Sequence, residues 1–316
     1  MGGLELLDPP DPATWDAFIA ETDGATVFHT SAWARTWTEV WPKARWRALA
    51  WIEHGRIAAG LPYVVREGWL GRRLFSMPDG TYGGPLAVRG SEGRQEALSR
   101  LIDWFRGNAE KAPVSQLTWR PGLEAAPTGL TESFTQIVPL SGSFDAILAR
   151  ASHGIRSRVR QAEESGLTLR PVANEEGVRA YHQLVVRNAE RHRSTPRPLG
   201  LYLEVLEHMV PRGLARFDLV EEGDRVIGGS LHLLYGGHAL NWLTVSDESR
   251  RDLHPNHFVI ARWLRELSAA GFSEYDLGAS PADARGLIEF KESWGAVRQP
   301  VLSAARSGGL YQLLGR

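Results

Sequence analysis

The chain of 316 residues, 43% hydrophobic and 23% charged, has ordinary globular composition and suits one large or two medium domains. Its formal charge of −1 excludes a global pull toward nucleic acid or membrane, so any anion site has to be a local patch. With no cysteine, a disulfide framework, a thiol nucleophile and thiolate metal sites are excluded.

The opening residues MGGLELLDPPDPATW carry acids and prolines where a signal peptide has basic residues and an apolar run. No stretch approaches the ~18 apolar residues of a spanning helix. A cytoplasmic monomer with no membrane span is therefore expected. A first helix is predicted over residues 13–21. The stretch RWRALAWIEHGRIAAGLPYVVRE (45–67) reads as strand, turn at His54-Gly55, strand. A helix over 91–107 and a strand over 114–119 follow, and then PLSGSFD (139–145) interrupts the pattern with proline, glycine and serine.

Beyond that break the pattern returns. In ASHGIRSRVRQAEESGL (151–167), Ile155, Val159 and Ala162 form a narrow apolar stripe, crowded by Arg150, Arg156, Arg158 and Arg160. Such arginines suit either a solvated helix face balanced by Glu163 and Glu164 or an anion site. A helix over 176–190 places Val178, Tyr181, Leu184, Val185 and Asn188 on one stripe. Residues 214–245 read as three strands with turns at 222–224 and at Gly236-Gly237. In the first of them Ala215, Phe217 and Leu219 face one way, Arg216 and Asp218 the other. Gly60 and Gly229 hold matching places in the two hairpins, where glycine permits a close approach or a bulge. A helix over 256–271 and a strand over 273–278 complete the second pass. Helix, antiparallel meander, helix, strand occur twice, so the fold is α+β in two tandem subdomains, 1–140 and 141–316.

Near the end, GLIEFKESWGA (286–296) sets Lys291 after Phe290 and close to Trp294. Either its stem snorkels along apolar surface or a cation is held there for chemistry. Asp276, at a strand end, either lines a crevice or caps the next turn. Arg187, Arg193 and Arg197, with His192 among them, form a second basic stretch on a predicted loop. Together with the 156–160 arginines it suits a positive rim for tRNA or an acidic precursor. Tyr235 and Trp242 are expected to pack in the core. His192, His254 and His257 have no HExxH or paired-carboxylate spacing, so no metal site is expected. No GxSxG elbow is present. The segment SDESRRDLHPNH (246–257) contains no glycine, which weakens a CoA-pyrophosphate loop there, although Arg250 and Arg251 remain able to grip an anion.

In order along the chain, FHTSAW (28–33), YGGP (82–85), IRSRVRQAEESGL (155–167), LHPNHFVIARWL (253–264), YDLGAS (275–280) and GLIEFKESWGA (286–296) resemble the FemABX-like proteins, tandem acyltransferases of the GNAT fold. The resemblance implies two GNAT-like subdomains, each a mixed, mostly antiparallel sheet flanked by helices, with the working site in the second. It implies transfer of an amino acid from aminoacyl-tRNA to an amine of a peptidoglycan precursor, with no metal and no firm cofactor. The Phe290-Lys291 pair matches the family's pair, whose lysine is implicated in catalysis. Arg156, Asn256, His257, Asp276, Phe290 and Trp33 are the expected substrate-binding residues. Trp33 is followed by Arg35 and Trp37, where nucleotide-binding members carry a lysine, so contact to a UDP pyrophosphate is not implied. Two alternatives stand beside this reading: an acyl-CoA-dependent N-acyltransferase acting on a cell-envelope sugar or amine, and a non-catalytic ligand-binding module.

Overall fold

The computed structural model describes residues 2–69, 71–79, 82–91, 93–119 and 131–307. Its contacts divide the chain into two units, Met1–Ser133 with Pro300–Arg316, and Phe134–Gln299.

The first unit runs β1 (Gly3–Leu7), α1 (Pro12–Ala20), α2 (Ser31–Val40), β2 (Ala44–Glu53), β3 (Arg56–Gly68), β4 (Gly71–Phe75), β5 (Leu86–Ala87), α3 (Arg94–Ala109) and β6 (Val114–Trp119). Helix α1 starts where Pro12 follows Asp11, whose carboxylate accepts from Thr14 N. Strands β1 to β4 pair antiparallel in order, and β4 then pairs β6 in parallel, Leu74 opposite Ser115.

The second unit takes Phe134–Pro139 from β7 (Thr131–Pro139) and continues with α4 (Phe144–Arg150), α5 (His153–Glu164), β8 (Leu167–Val172), α6 (Glu175–Arg191) and α7 (Leu199–His208). Then come β9 (Ala215–Glu222), β10 (Arg225–Tyr235), β11 (His238–Ser246), α8 (Pro255–Ala269), β12 (Glu274–Ala279) and α9 (Arg285–Glu292). The last strand, β13 (Val297–Ser307), pairs with β6 through its residues 302–307. Strands β8 to β11 are antiparallel, and β11 pairs β12 in parallel, Leu240 opposite Asp276. The element order strand, two helices, three-stranded meander, helix, parallel strand is the same in both units. This is the α+β tandem arrangement with mostly antiparallel sheets that the sequence implies.

Three details differ from the sequence reading. Tyr235 and Trp242, expected in the core, are only half-buried. Alternation in β9 set Arg216 and Asp218 opposite the apolar face, but Asp218 is fully buried. It accepts from Trp263 Nε1 at 3.0 Å and from Arg216 Nε at 2.8 Å, because α8 covers that face too. Helix α6 also extends through Arg187 to Arg191, so the basic stretch is half helical rather than a loop.

The two matched glycines make the same kind of contact. A Cβ on Gly60 would lie 2.8 Å from the Trp15 ring and 2.9 Å from Phe18, both on α1. A Cβ on Gly229 would lie 2.8 Å from the Tyr181 ring on α6 and 3.1 Å from the Asp218 carbonyl. Helix α1 in the first unit and α6 in the second therefore each lay an aromatic ring directly on a strand backbone. Gly60→Ala and Gly229→Ala are each expected to destabilise their own unit by about 1–3 kcal/mol through overpacking. Lowered urea midpoints would show this, and parent-like midpoints would refute the close-approach account.

Candidate active site

Parallel pairing of β11 and β12 ends after Leu240 and Asp276, although β11 runs on to Ser246. Both strands are irregular at that level. In β11 the register against β10 skips Trp242, and in β12 the register against β7 shifts between Asp276 and Ala279. Bulges of this kind end a ladder and re-aim the groups beside it. Gly278 lies inside the second irregularity with φ +80°, a value that favours glycine.

Lys291 comes to this place from the last turn of α9. Only 7% exposed, it donates through Nζ to the carbonyls of Gly278 at 2.9 Å and Ala279 at 3.1 Å. The lysine is therefore not snorkelling. Burial lowers its pKa from 10.5 to about 8, opposed by the charge of Asp276. An ammonium has three N–H bonds, and among the described residues these two contacts leave one for another acceptor.

Asp276 is fully buried. Its Oδ1 accepts from Thr135 Oγ1 at 2.5 Å and from Gly278 N at 2.7 Å, and its Oδ2 lies 3.6 Å from His238 Nε2. Phe290, next to Lys291, meets the His257 ring edge-on at 5.3 Å, and His257 also packs against Trp294 at 5.9 Å. Three buried atoms in this cluster, Asn256 Oδ1, His257 Nε2 and Trp294 Nε1, have no hydrogen-bond partner among the described residues. Burial, then the charges of His254 and Arg158, pushes His257 down to about 4, so its imidazole is neutral at physiological pH. Buried neutral hydrogen-bonding groups of this kind suit the binding of a polar substrate.

Five of the seven expected residues, Lys291, Phe290, Asn256, His257 and Asp276, thus fall in one region of the second unit. Arg156 has a different engagement. Its guanidinium donates to Ala149 O and Ala151 O, the carbonyls at the end of α4, which is how a helix C-terminus is capped. Arg150 likewise donates to Pro139 O and Ser141 O. Trp33 lies in the core of the first unit, fully buried against Phe28 and Trp37, with Nε1 3.3 Å from Pro78 O. Around it FHTSAW and YGGP meet: His29 Nδ1 accepts from Thr26 N, its Nε2 lies 3.1 Å from Gly84 O, and Phe28 packs on Tyr82. Full burial pushes His29 down to about 4.

At the entrance to α8, Arg250 and Arg251 are paired with Glu222 and Glu248. The amides of Ser249, Arg250, His254, His257 and Phe258 all donate within the chain. Thr135 and Gln136 escaped the sequence reading. Their signal is two adjacent polar residues, both fully buried, in the strand SFTQIVP.

Residues 149–292 match the family model described as the acetyltransferase (GNAT) domain, a span inside the second unit that includes Lys291. Among solved structures, FemX matches with a TM-score of 0.72 at 17% identity, over 99% of this chain and 100% of that one. The C-terminal domain of a putative lysylphosphatidylglycerol synthetase from Agrobacterium fabrum matches at 0.60 and 15%, covering 96% and 93% of the two chains. A tandem GNAT protein from the clavulanic acid biosynthesis pathway matches at 0.58 and 15%, covering 96% and 98%. At these identities the likeness shows the fold. No curated protein matches the sequence.

The lowered pKa of Lys291 has a thermodynamic signature. Between about pH 8 and 10.5 the unfolded chain holds a proton that the folded chain has released, so folding gains stability as pH rises through that window. The gain is expected to reach up to about 3 kcal/mol in the parent and to be missing in Lys291→Met. Urea midpoints of the two proteins from pH 7 to 10 test this, and parallel curves would refute a buried, depressed lysine.

Proposed function

We propose that this chain, which carries a GNAT acetyltransferase domain over residues 149–292 and is a GNAT-fold acyltransferase, moves an aminoacyl group from aminoacyl-tRNA to an amine of a peptidoglycan precursor. The observation that supports this reading most is the buried ammonium of Lys291, fixed by two carbonyls where β11 and β12 stop pairing. Aminolysis of an ester passes through a tetrahedral oxyanion. A preorganised cation in a desolvated place stabilises that charge more than water does. The remaining N–H of Lys291 is the donor for the oxyanion or for the departing ribose oxygen. The attacking amine gives its proton to that departing oxygen, so the reaction balances without a separate base. Asn256, His257 and Phe290 line the approach and orient the substrate.

The engaged amides and paired arginines before α8 leave little to cradle a pyrophosphate, which favours an RNA-borne donor over acyl-CoA. An acyl-CoA-dependent N-acyltransferase is the second reading, favoured by the family that residues 149–292 match. Incubation with labelled aminoacyl-tRNA or acetyl-CoA, each with peptidoglycan precursors, separates the two. Label on a precursor from tRNA alone is the expected result. Label from acetyl-CoA alone selects the second reading, and no transfer from either selects a binding module.

In the same assay Lys291→Met is expected to lose about 100- to 1000-fold in single-turnover rate. Because the ammonium is the active form, the parent rate falls as pH rises through about 8. Lys291→Arg keeps part of the activity and loses that alkaline limb, since arginine does not shed its proton. A methionine variant within a few-fold of the parent would remove Lys291 from the chemistry.

A further inference from the structure

Of the 36 lysines and arginines in the chain, only Lys43, Lys111 and Lys291 are lysines. Arginine serves almost every cationic position, yet the cation at the end of α9 is a buried lysine. Arginine is permanently charged and broad, whereas lysine is compact and takes its proton affinity from its surroundings.

Those surroundings form a polar frame built on β7. Thr135 and Gln136 are neighbours there, both fully buried. Thr135 donates to Asp276 Oδ1, and the same oxygen accepts from Gly278 N, which closes a side-chain turn over residues 276–278. That turn aims the Gly278 carbonyl at Lys291 Nζ, with the Ala279 carbonyl beside it. Gln136 Nε2 donates to Ile288 O of α9 at 2.9 Å, and its Oε1 accepts from Ser280 Oγ at 2.9 Å. One strand therefore ties down both the lysine's helix and the carbonyls it meets. Among the described residues, the titratable groups around Asp276 include His238 on β11, Glu274 at 3.8 Å from His238, and Tyr275 on β12 itself. His257 meets the Phe290 ring edge-on, and α9 adds Glu289 and Glu292, the latter paired with Arg298.

We propose that Asp276 is the positioning residue for Lys291: through the Gly278 turn it fixes the carbonyls that aim the ammonium, and its buried carboxylate is that ammonium's counter-charge. Buried completely, Asp276 acts on the lysine rather than on substrate. The proposal rests on the role given to Lys291 above. Its first test is independent of activity.

The full chain is grown with lysine labelled with carbon-13 at Cε, which yields three resonances to follow. The Lys291 signal is assigned by its absence in Lys291→Arg, and Lys43 and Lys111, both exposed, serve as internal references. In Asp276→Asn the Lys291 midpoint is expected to fall by about one unit or more, because a neighbouring opposite charge is lost. The alkaline limb of transfer moves down with it, and kcat drops while KM changes little. An unmoved midpoint overturns the proposal. A moved midpoint with full activity in Lys291→Met leaves the coupling standing and removes the catalytic reading instead. Should Asp276→Asn fail to fold, Thr135→Val removes the hydroxyl donor at nearly constant volume. It is expected to slow transfer several-fold, with recovery in Thr135→Ser. A valine variant matching the parent in both rate and lysine titration overturns the proposal.

Discussion

An ammonium withdrawn from water needs fixed acceptors, because its desolvation is opposed only by groups already held in place. Around Lys291 that requirement explains several features that look unrelated one by one. Carbonyls inside a regular ladder are engaged by the next strand, so a lysine meets them only where the ladder breaks. The shift in β12 after Asp276, the left-handed Gly278 and the early end of the β11–β12 pairing are that break. Two buried polar side chains on β7 then hold the broken segment, where apolar residues would have left its amide and hydroxyl groups without partners.

The first unit has the same strand connectivity and a different use of the same place. Its parallel pair, β4 and β6, also matches over three residues, Arg73 to Phe75 against Val114 to Gln116. There the departing chain continues the contact: Ser76 N donates to Gln116 O at 2.8 Å, and Thr118 N donates to Ser76 Oγ at 3.0 Å. Residues 82–84 are held by Thr26 and His29. One topology thus yields an ammonium site in one unit and a closed, hydrogen-bonded joint in the other. This is what duplication of a fold without duplication of its side chains produces.

The doubled element order was legible because it depends on local signals: alternation in 215–222, the stripe Val259, Ile260, Trp263, Leu264, Leu267, and the turns at His54-Gly55 and Gly223-Asp224. Gly60 and Gly229 were legible as places of close approach, though not the rings that approach them. What the sequence hid is set by contacts across long separations. Nothing local shows that Asp276 faces Thr135, 141 residues away, or that the arginines at 150 and 156 serve carbonyls of α4 and its flanks. Alternation placed Asp218 opposite the apolar face because it reports one covered face, and the helix on the other face is 45 residues downstream at Trp263. Lys291 was legible only by resemblance, since composition and spacing fit a surface lysine equally well.

His29 carries a consequence for the working range of the molecule. Its Nδ1 receives the Thr26 amide, so the ring has to be neutral with its hydrogen on Nε2, facing Gly84 O. As pH falls from 6.5 toward about 4, the unfolded chain takes up a proton that the buried ring refuses, and the first unit loses stability. Lys291 sets the opposite condition in the second unit, being the charged donor only below about 8. One buried group has to stay uncharged and another has to stay charged. On the role proposed for Lys291, acid therefore acts on the scaffold and alkali on the reacting centre, so the two edges of the pH range would differ in kind: loss of folded protein at one, loss of rate in folded protein at the other.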